Sequence, residues 1–263
     1  MSSAKNKKSL SPYADALFGA LERRDAIPPI DDGTLSIDDA YAISLDLLNR
    51  RRGRGERVVG KKIGVTSKAV QSMLGVNQPD FGFLTDRMWV KGETIDITAA
   101  GLIQPRAEAE IAFILRDSLR GPRITAEQVI AATGSIAPCF EIVDSRIADW
   151  KIGIIDTIAD NASCGVFLLG VERADASAHD LPALRVTVTK NGEPLSEGLG
   201  SAVQGSPAEA VAWLANTLGS YGVTLDAGDV ILSGSLVPLE PAAAGDVFEM
   251  ELHGIGCCTA RFV

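Results

Sequence analysis

The sequence predicts an α+β protein in which a helical N-terminal segment packs on one large, β-rich domain of mixed strands. Two observations lead to this prediction. Helix-capping residues precede apolar residues at helical spacing near the start of the chain, and short apolar runs between glycine turns fill most of the rest. We predict a disordered tail over residues 1–10, a helical segment over 11–56 and a β-rich domain over 57–263.

Two helices are expected in the N-terminal segment. Ser11 is the predicted N-cap of the first helix, and Pro12 suits its first turn. Ser36 is the predicted N-cap of the second helix, which should end near residues 52–53. The apolar face of this second helix should consist of Ala40, Ile43, Leu47 and Leu48.

The remaining chain reads as strands with two inserted helices. Asn191-Gly192 predicts a hairpin, because both residues tolerate the positive φ of a type I′ turn. Apolar runs at 230–232 and 247–252 follow glycine-aspartate pairs, and a last strand is expected over 257–263. Capping-box spacing predicts helix starts at Thr125 and Ser206.

Composition excludes several classes of protein. A net charge of −9 argues against a general nucleic-acid binder, which needs a basic surface. The four cysteines show no metal-binding spacing and fit a reduced compartment better than a disulfide framework. The polar N-terminus lacks the apolar core of a signal peptide, and no apolar run approaches the about 20 residues that span a bilayer. We therefore expect a cytoplasmic protein.

Three glutamates stand in apolar sequence. Glu108 and Glu110 alternate with apolar residues in a predicted strand, so both carboxylates point to the same face. Glu141 lies in a second apolar stretch. Buried like charges repel unless a cation lies between them, and three oxygen donors without a nearby His or Cys suit Mg²⁺. The alternative is a half-exposed strand with solvated glutamates.

Other polar residues are weaker candidates for chemistry. Strand alternation should point one of Lys61 and Lys62 outward and the other inward, where a lysine near a cation would have a lowered pKa. Two solvated lysines are an equal alternative. Asp80, between Pro79 and Phe81, is more typical of a turn. The polar cluster at 160–165 could orient a substrate or simply form a cap or turn.

Neither histidine is near an obvious nucleophile, and the glycines at 198, 200 and 205 follow no strand-to-helix phosphate loop. The sequence therefore gives little support to serine-hydrolase chemistry or nucleotide binding.

Five motifs together resemble the 2-hydroxypenta-2,4-dienoate (2-oxopent-4-enoate) hydratases, in the hydratase/decarboxylase branch of the fumarylacetoacetate hydrolase superfamily. The resemblance runs from about residue 12 to the C-terminus. The motifs are Gly60-Lys61-Lys62-Ile63-Gly64-Val65-Thr66-Ser67, Gln78-Pro79-Asp80-Phe81-Gly82, Pro105-Arg106-Ala107-Glu108-Ala109-Glu110, Glu141-Ile142-Val143-Asp144-Ser145-Arg146 and Ala159-Asp160-Asn161-Ala162-Ser163-Cys164-Gly165.

The resemblance implies a mixed β-roll, a Mg²⁺ or Mn²⁺ cofactor and a homo-oligomer, with residues 57–263 as the catalytic domain. It implies that the metal ligands are Glu108, Glu110 and Glu141. It also implies that Lys62 and Asp80 are catalytic, and that Ser163 and Ser235 contact the substrate.

The implied reaction is hydration of 2-hydroxypenta-2,4-dienoate to 4-hydroxy-2-oxopentanoate in meta-cleavage catabolism of aromatic compounds. A 4-oxalocrotonate (2-oxohex-3-enedioate) decarboxylase is the nearest alternative. The decarboxylases tend to have Pro-Lys where this chain has Pro105-Arg106. A second alternative is a non-catalytic scaffold subunit of a complex with that decarboxylase. The related hydrolases use a histidine to activate water, and this chain has none near the corresponding segments.

Overall fold

A computed structural model describes residues 9–263, so most of the predicted tail over 1–10 lies outside the described residues. Two helices form the N-terminal segment: α1 (Ser11–Arg23) and α2 (Ile37–Gly53). Helix α2 begins at the predicted cap, because the Ser36 side chain accepts a hydrogen bond from the backbone N–H of Asp39. Its predicted apolar face is buried.

The predicted Ser11 cap is wrong by one residue. Ser11 is the first residue of α1, and the preceding Leu10 occupies the N-cap position without a side-chain cap. The Leu10 carbonyl already accepts the backbone N–H of Tyr13, so the helix begins before Ser11 can cap it.

The rest of the described chain contains twelve strands and four further α-helices, in agreement with the α+β prediction. In chain order they are β1 (Val58–Gly64), α3 (Lys68–Leu74), β2 (Asp80–Thr85), β3 (Thr94–Ile95), β4 (Arg106–Leu115), α4 (Ala126–Ala132), β5 (Thr133–Val143), α5 (Ile154–Ala159), β6 (Cys164–Leu169), β7 (Arg185–Lys190), β8 (Glu193–Leu199), α6 (Pro207–Ser220), β9 (Val230–Ser235), β10 (Glu240–Pro241), β11 (Val247–Leu252) and β12 (Gly256–Phe262).

The strands form two mixed sheets. The larger has the order β2-β1-β9-β4-β5-β6, with β10 added beside β4. The smaller has the order β3-β12-β11-β7-β8. Each contains one parallel pair, β1 with β9 and β12 with β3, among antiparallel neighbours. The hairpin predicted at Asn191-Gly192 joins β7 to β8, and both residues have positive φ.

The larger sheet curls until its two end strands approach each other. The segment after β2 pairs with β6, because the backbone N–H of Phe167 donates to the Met88 carbonyl and that of Val90 to the Phe167 carbonyl, both at 2.9 Å. The predicted β-roll is therefore confirmed. Its inner face contains a separate apolar cluster, formed by Leu84, Met88, Ala112, Cys139, Cys164, Phe167, Val230 and Leu232.

One of the two predicted capping boxes is present. Thr125 and Gln128 bond reciprocally at the start of α4. Ser206 is the N-cap of α6 by position, but its side chain makes no capping bond. The N–H of Glu209, which that side chain would have capped, already donates to the Ser206 carbonyl at 3.0 Å.

Two sequence-based expectations about chain environment can be checked in the described residues. Cys257 is exposed and Cys258 is buried, as expected for neighbours in a strand, and none of the four cysteines forms a disulfide. No helix within residues 9–263 is long and apolar enough to cross a bilayer.

Candidate functional site

Three glutamates meet on the inner face of the curled sheet. Glu108 and Glu110 are two residues apart in β4, so they point to the same side. Glu141 in β5 lies directly opposite Glu108 in the antiparallel register. One carboxylate oxygen from each residue lies within 4.8 Å of the others. Glu110 and Glu141 are fully buried and Glu108 is partly buried, so the alternative of solvated glutamates is wrong.

Few protein groups donate hydrogen bonds to the carboxylate oxygens of Glu110 and Glu141. Glu110 Oε2 accepts the backbone N–H of Gly234 at 2.7 Å. Glu110 Oε1 and Glu141 Oε2 accept no hydrogen bond from any residue in the described range, and Glu141 Oε1 lies in an ion pair with Lys62. Buried anionic oxygens without donors are costly. A hard divalent cation bound by several oxygens would offset that cost, so the residues present fit Mg²⁺ or Mn²⁺.

The pKa shifts of the three glutamates also favour a bound cation. Burial, with the repulsion of Glu141, raises the pKa of Glu108 to about 7. Burial and the two neighbouring carboxylates raise the pKa of Glu110 well above its ordinary value. Burial also raises the pKa of Glu141, against the lowering effect of Lys62. Burial and mutual repulsion thus shift all three carboxyl groups toward the neutral form, and a bound cation would shift them back toward the ionised form.

Lys62 is the cation nearest these acids within the described part of the chain. Its Nζ lies 3.1 Å from Glu141 Oε1 and donates to the Ala162 carbonyl at 2.8 Å. Burial lowers the pKa of Lys62, but the charges of Glu141, Asp80 and Glu108 outweigh burial and raise it. The lowered pKa expected for a lysine beside a cation is therefore not a property of the protein alone, and it would require a cation to offset those carboxylates.

Lys61 points to the opposite face of β1, as alternation requires, but it is not solvated. The side chain is buried, forms an ion pair with Asp229 and donates to the Thr224 carbonyl at 3.2 Å. The expectation of an outward, exposed lysine is wrong because the chain also covers the second face of β1. Burial of Lys61 is compensated by its own carboxylate partner.

Asp80 is a buried strand residue and not part of a turn. It is the first residue of β2 and pairs with Gly64 across the sheet. A Cβ atom at Gly64 would lie 2.3 Å from Asp80 Oδ1 and 3.3 Å from Lys62 Nζ. The structure therefore brings Asp80 and Lys62 together beside a glycine that leaves room for both. Burial raises the pKa of Asp80, against the lowering effect of Lys62.

The polar cluster at 160–165 forms a tight turn beside these residues. Asn161, Ala162 and Ser163 all have left-handed backbone conformations, with φ between 51° and 56°. The Asn161 side chain accepts from the backbone N–H of Phe83 at 2.8 Å and donates to the Phe83 carbonyl at 3.0 Å. This fixes the turn against β2 and aims the Ala162 carbonyl at Lys62.

Ser163 belongs to the turn before β6, and Ser235 is the last residue of β9. Ser163 is buried, and its Oγ lies 3.2 Å from Thr157 Oγ1. Ser235 pairs with Glu110 in the sheet, and its hydroxyl donates to the Val237 carbonyl at 2.7 Å. Substrate contact by either serine stays a prediction.

A buried ion pair behind the turn was missed by the analysis of the sequence. Arg146 Nε donates to Asp160 Oδ1 at 2.5 Å. Its two terminal nitrogens donate to the carbonyls of Cys164 at 3.0 Å and Asp160 at 2.7 Å. Arg146 thus binds both ends of the left-handed turn. Both residues stand within the motifs quoted above, but nothing in their spacing indicates that they pair.

Comparison with known proteins identifies the relatives of this chain. Residues 62–263 match the protein family described as fumarylacetoacetate (FAA) hydrolase C-terminal. The chain is 57% identical over 260 residues, 98% of each chain, to 2-hydroxyhexa-2,4-dienoate hydratase of Comamonas testosteroni. It is 54% identical over 221 residues, 83% of this chain and 99% of the relative, to 2-hydroxypent-2,4-dienoate hydratase of Pseudomonas putida.

Among solved structures, 4-oxalocrotonate decarboxylase from Pseudomonas putida G7, complexed with magnesium and adipate, is closely similar in fold. The two share a TM-score of 0.91 and 35% sequence identity, over 98% of this chain and 100% of the decarboxylase. The resemblance inferred from the five motifs is confirmed.

Proposed function

The chain belongs to the fumarylacetoacetate (FAA) hydrolase family, and from this premise we propose that it is a hydratase that converts 2-hydroxypenta-2,4-dienoate to 4-hydroxy-2-oxopentanoate. We propose that this reaction serves meta-cleavage catabolism of aromatic compounds, as the family resemblance implies. The observation that carries the proposal is the convergence of Glu108, Glu110 and Glu141 beside Lys62, in a chain whose relatives are named hydratases.

The three glutamates are the proposed ligands of Mg²⁺ or Mn²⁺. When bound, such an ion supplies a Lewis acid that orients the 2-oxo-acid end of the substrate and stabilises negative charge there. Glu110 is held in place by the Gly234 backbone and Glu141 by its ion pair with Lys62. The partly buried Glu108 faces the more accessible side of the cluster.

Lys62 and Asp80 are the proposed proton carriers. Hydration removes one proton from the 2-hydroxyl group and one from water, and delivers one to C5 and one to C3 as the water oxygen bonds to C4. Lys62 and Asp80 differ in acidity and lie close together, so they can carry these protons in succession. Lys62 and Asp80 share the space above Gly64, and Ala162 fixes the Lys62 ammonium. Ser163 and Ser235 are proposed substrate contacts.

Decarboxylation of 2-oxohex-3-enedioate is the second candidate, because the decarboxylase has the same fold over nearly the whole chain. The higher identity to the named hydratases favours hydration. A scaffold role is less compatible with the site, since buried carboxylates lacking hydrogen-bond donors are costly unless a cation binds.

One experiment separates the three alternatives. The purified chain is incubated with Mg²⁺ and an enzymatically generated dienol, and separately with 2-oxohex-3-enedioate. A hydratase removes the ultraviolet absorbance of the dienol and forms a 4-hydroxy-2-oxo acid. Release of CO₂ from the second substrate would indicate the decarboxylase, and inactivity with both would support the scaffold.

We also propose that the protein acts as a cytoplasmic homo-oligomer and that it forms a complex with 4-oxalocrotonate decarboxylase. Light scattering after size exclusion measures the mass of the isolated protein. Repeating the measurement with the purified decarboxylase tests the complex, which predicts a new, heavier species.

A further inference from the structure

Thr157 lies between two residues of the proposed site. It belongs to α5, and its side chain is 5% exposed. Its Oγ1 is 3.5 Å from Asp80 Oδ2 and 3.2 Å from Ser163 Oγ. A threonine hydroxyl can donate one hydrogen bond and accept another at the same time. Thr157 is therefore able to connect the two groups.

The two oxygens of Asp80 have different surroundings. Oδ1 lies against Gly64, where the missing side chain leaves room for it. Oδ2 faces Thr157, whose hydroxyl is the side-chain donor to this carboxylate among the described residues. Rotation of the Asp80 carboxylate is thus limited by backbone on one side and by one hydroxyl on the other.

The direction of these hydrogen bonds follows from the chemistry of the groups. When Asp80 is ionised its carboxylate only accepts, and Thr157 then donates its proton to Asp80. The Thr157 oxygen is then left to accept from Ser163. The Ser163 hydroxyl therefore donates to Thr157. Its oxygen can then accept a hydrogen bond from a third group, such as a hydroxyl group of the substrate.

Helix α5 is fixed on the side away from the site. The Asp156 side chain accepts the backbone N–H of Gly153 at 2.9 Å, which caps the helix. Its other oxygen accepts the N–H groups of Ile30 at 2.8 Å and Asp31 at 3.2 Å. Thr157, the next residue, is thus held in place before substrate binds, which is the condition for accurate positioning of a reacting group.

We propose that Thr157 is a positioning residue for the hydration: its hydroxyl orients the Asp80 carboxylate and sets the direction in which Ser163 hydrogen-bonds to the substrate. The inference rests on the proposed function. It adds to that function a residue that does not itself touch the reacting atoms.

The test compares two conservative substitutions with the full-length, Mg²⁺-loaded enzyme. Thr157→Val keeps the shape of the side chain and removes the hydroxyl, whereas Thr157→Ser keeps the hydroxyl. Loss of one hydrogen bond to a charged group predicts that kcat of Thr157→Val falls by about 10- to 100-fold. KM for the dienol and the rise of Tm with Mg²⁺ should remain near the wild-type values. Thr157→Ser should retain kcat within about threefold.

A double-mutant cycle distinguishes positioning from a general packing effect. If Thr157 acts through Ser163 and Asp80, adding Ser163→Ala to Thr157→Val should cost less than the product of the two single effects. Should Thr157→Val fail to fold, Thr157→Ala provides the same comparison with Thr157→Ser.

Two results would overturn the inference: a Thr157→Val enzyme with kcat within twofold of wild type, or a Thr157→Ser enzyme impaired as much as Thr157→Val. Failure of the proposed function has a different signature, since the wild-type enzyme would then not consume the dienol at all.

Discussion

Glu110 is held by one backbone donor and lacks another. The Gly234 N–H fixes Oε2, while Oε1 receives no donor from the described residues. The side chain is fully buried, and burial with neighbouring acids raises its pKa. The ionised form of Glu110 therefore destabilises the metal-free protein and becomes favourable only when a cation binds.

Glu110→Gln should separate these two effects. The substitution removes a buried carboxyl group whose ionisation is disfavoured by burial and by its acidic neighbours, so Tm of the chelator-treated protein at pH 8 should equal or exceed that of wild type. The rise of Tm on adding Mg²⁺ should disappear and turnover should fall by at least about 100-fold. Differential scanning calorimetry with and without Mg²⁺ measures the first two quantities. The exposed Glu249→Gln is the matched control, and a persistent response to Mg²⁺ in Glu110→Gln would contradict the assigned ligand.

Gly64 is required by the two proposed proton carriers. A Cβ atom at this position would lie 2.3 Å from Asp80 Oδ1, which is too close for an unstrained contact. Gly64→Ala should therefore displace Asp80 and lower kcat by about 100-fold, since a shift near 1 Å is enough for such a loss. Steady-state kinetics checks the prediction. In Gly53→Ala, where a Cβ meets nothing within 4 Å, activity should be unchanged. Equal activity of the two variants would exclude this role for Gly64.

At the scale of elements, the turn at Asn161–Ser163 connects α5 to β6 in three successive left-handed residues. Such conformations are unfavourable for residues other than glycine and persist only where surrounding contacts enforce them. Arg146 supplies those contacts by bonding to Asp160 and to the Cys164 carbonyl. This turn also fixes Lys62, whose ammonium group donates to the Ala162 carbonyl.

Arg146→Met should destabilise the protein by about 3–5 kcal/mol, because it leaves Asp160 buried without its cation. Burial already raises the pKa of Asp160 to about 6 even with Arg146 present. Urea unfolding measures the free energy of unfolding. In the exposed pair of Arg185 with Glu197, Arg185→Met should lower the free energy of unfolding far less than Arg146→Met does. Similar losses of unfolding free energy in both variants would show that the buried Arg146–Asp160 pair stabilises the protein no more than the exposed pair does.

Local sequence signals predicted elements where the determining contacts are also local. Ser36 caps α2 through a residue three positions away, and Asn191-Gly192 forms its hairpin from its own φ preferences. Alternation in one strand was enough to place Glu108 and Glu110 on one face. The meeting of these residues with Glu141 depends on the register between β4 and β5. The family resemblance implied the three ligands but not that register.

The sequence could not predict environments set by distant segments. Lys61 is buried because Asp229, far along the chain, lies against it. Asp80 has a short-range sequence context that favours a turn, yet it is buried beside residues from other elements, and nothing in the sequence indicated that the buried Arg146 pairs with Asp160. Thr157 has no motif of its own, and its importance is visible only once α5 and β2 are seen side by side.

At the scale of the whole molecule, stability should depend on pH and cation together. The three glutamates have a raised pKa in the folded protein, so the metal-free fold is favoured below their ordinary value of 4.5. It loses stability as the pH rises through about 7, the pKa of Glu108. A divalent cation binds the ionised carboxylates, and its stabilising effect should grow over the same range.

Thermal unfolding at pH 5.5 and pH 8 tests this coupling. The increase in Tm from Mg²⁺ should be larger at pH 8, where Mg²⁺ at about 100 times its Kd stabilises by about 2.7 kcal/mol. Chelator should reverse the increase. A Mg²⁺ effect that is equal at both pH values, or larger at pH 5.5, would contradict a site made of these carboxylates.

The pairing of residues 88–90 with β6 has a consequence for the behaviour of the protein at high concentration. Unpaired strand edges are templates on which other chains can add and aggregate. The curled sheet satisfies the Phe167 N–H and carbonyl within the molecule, so this part of β6 offers no such template. Strand β8 ends the smaller sheet, and there Glu193, Pro194 and Glu197 oppose the addition of a further strand.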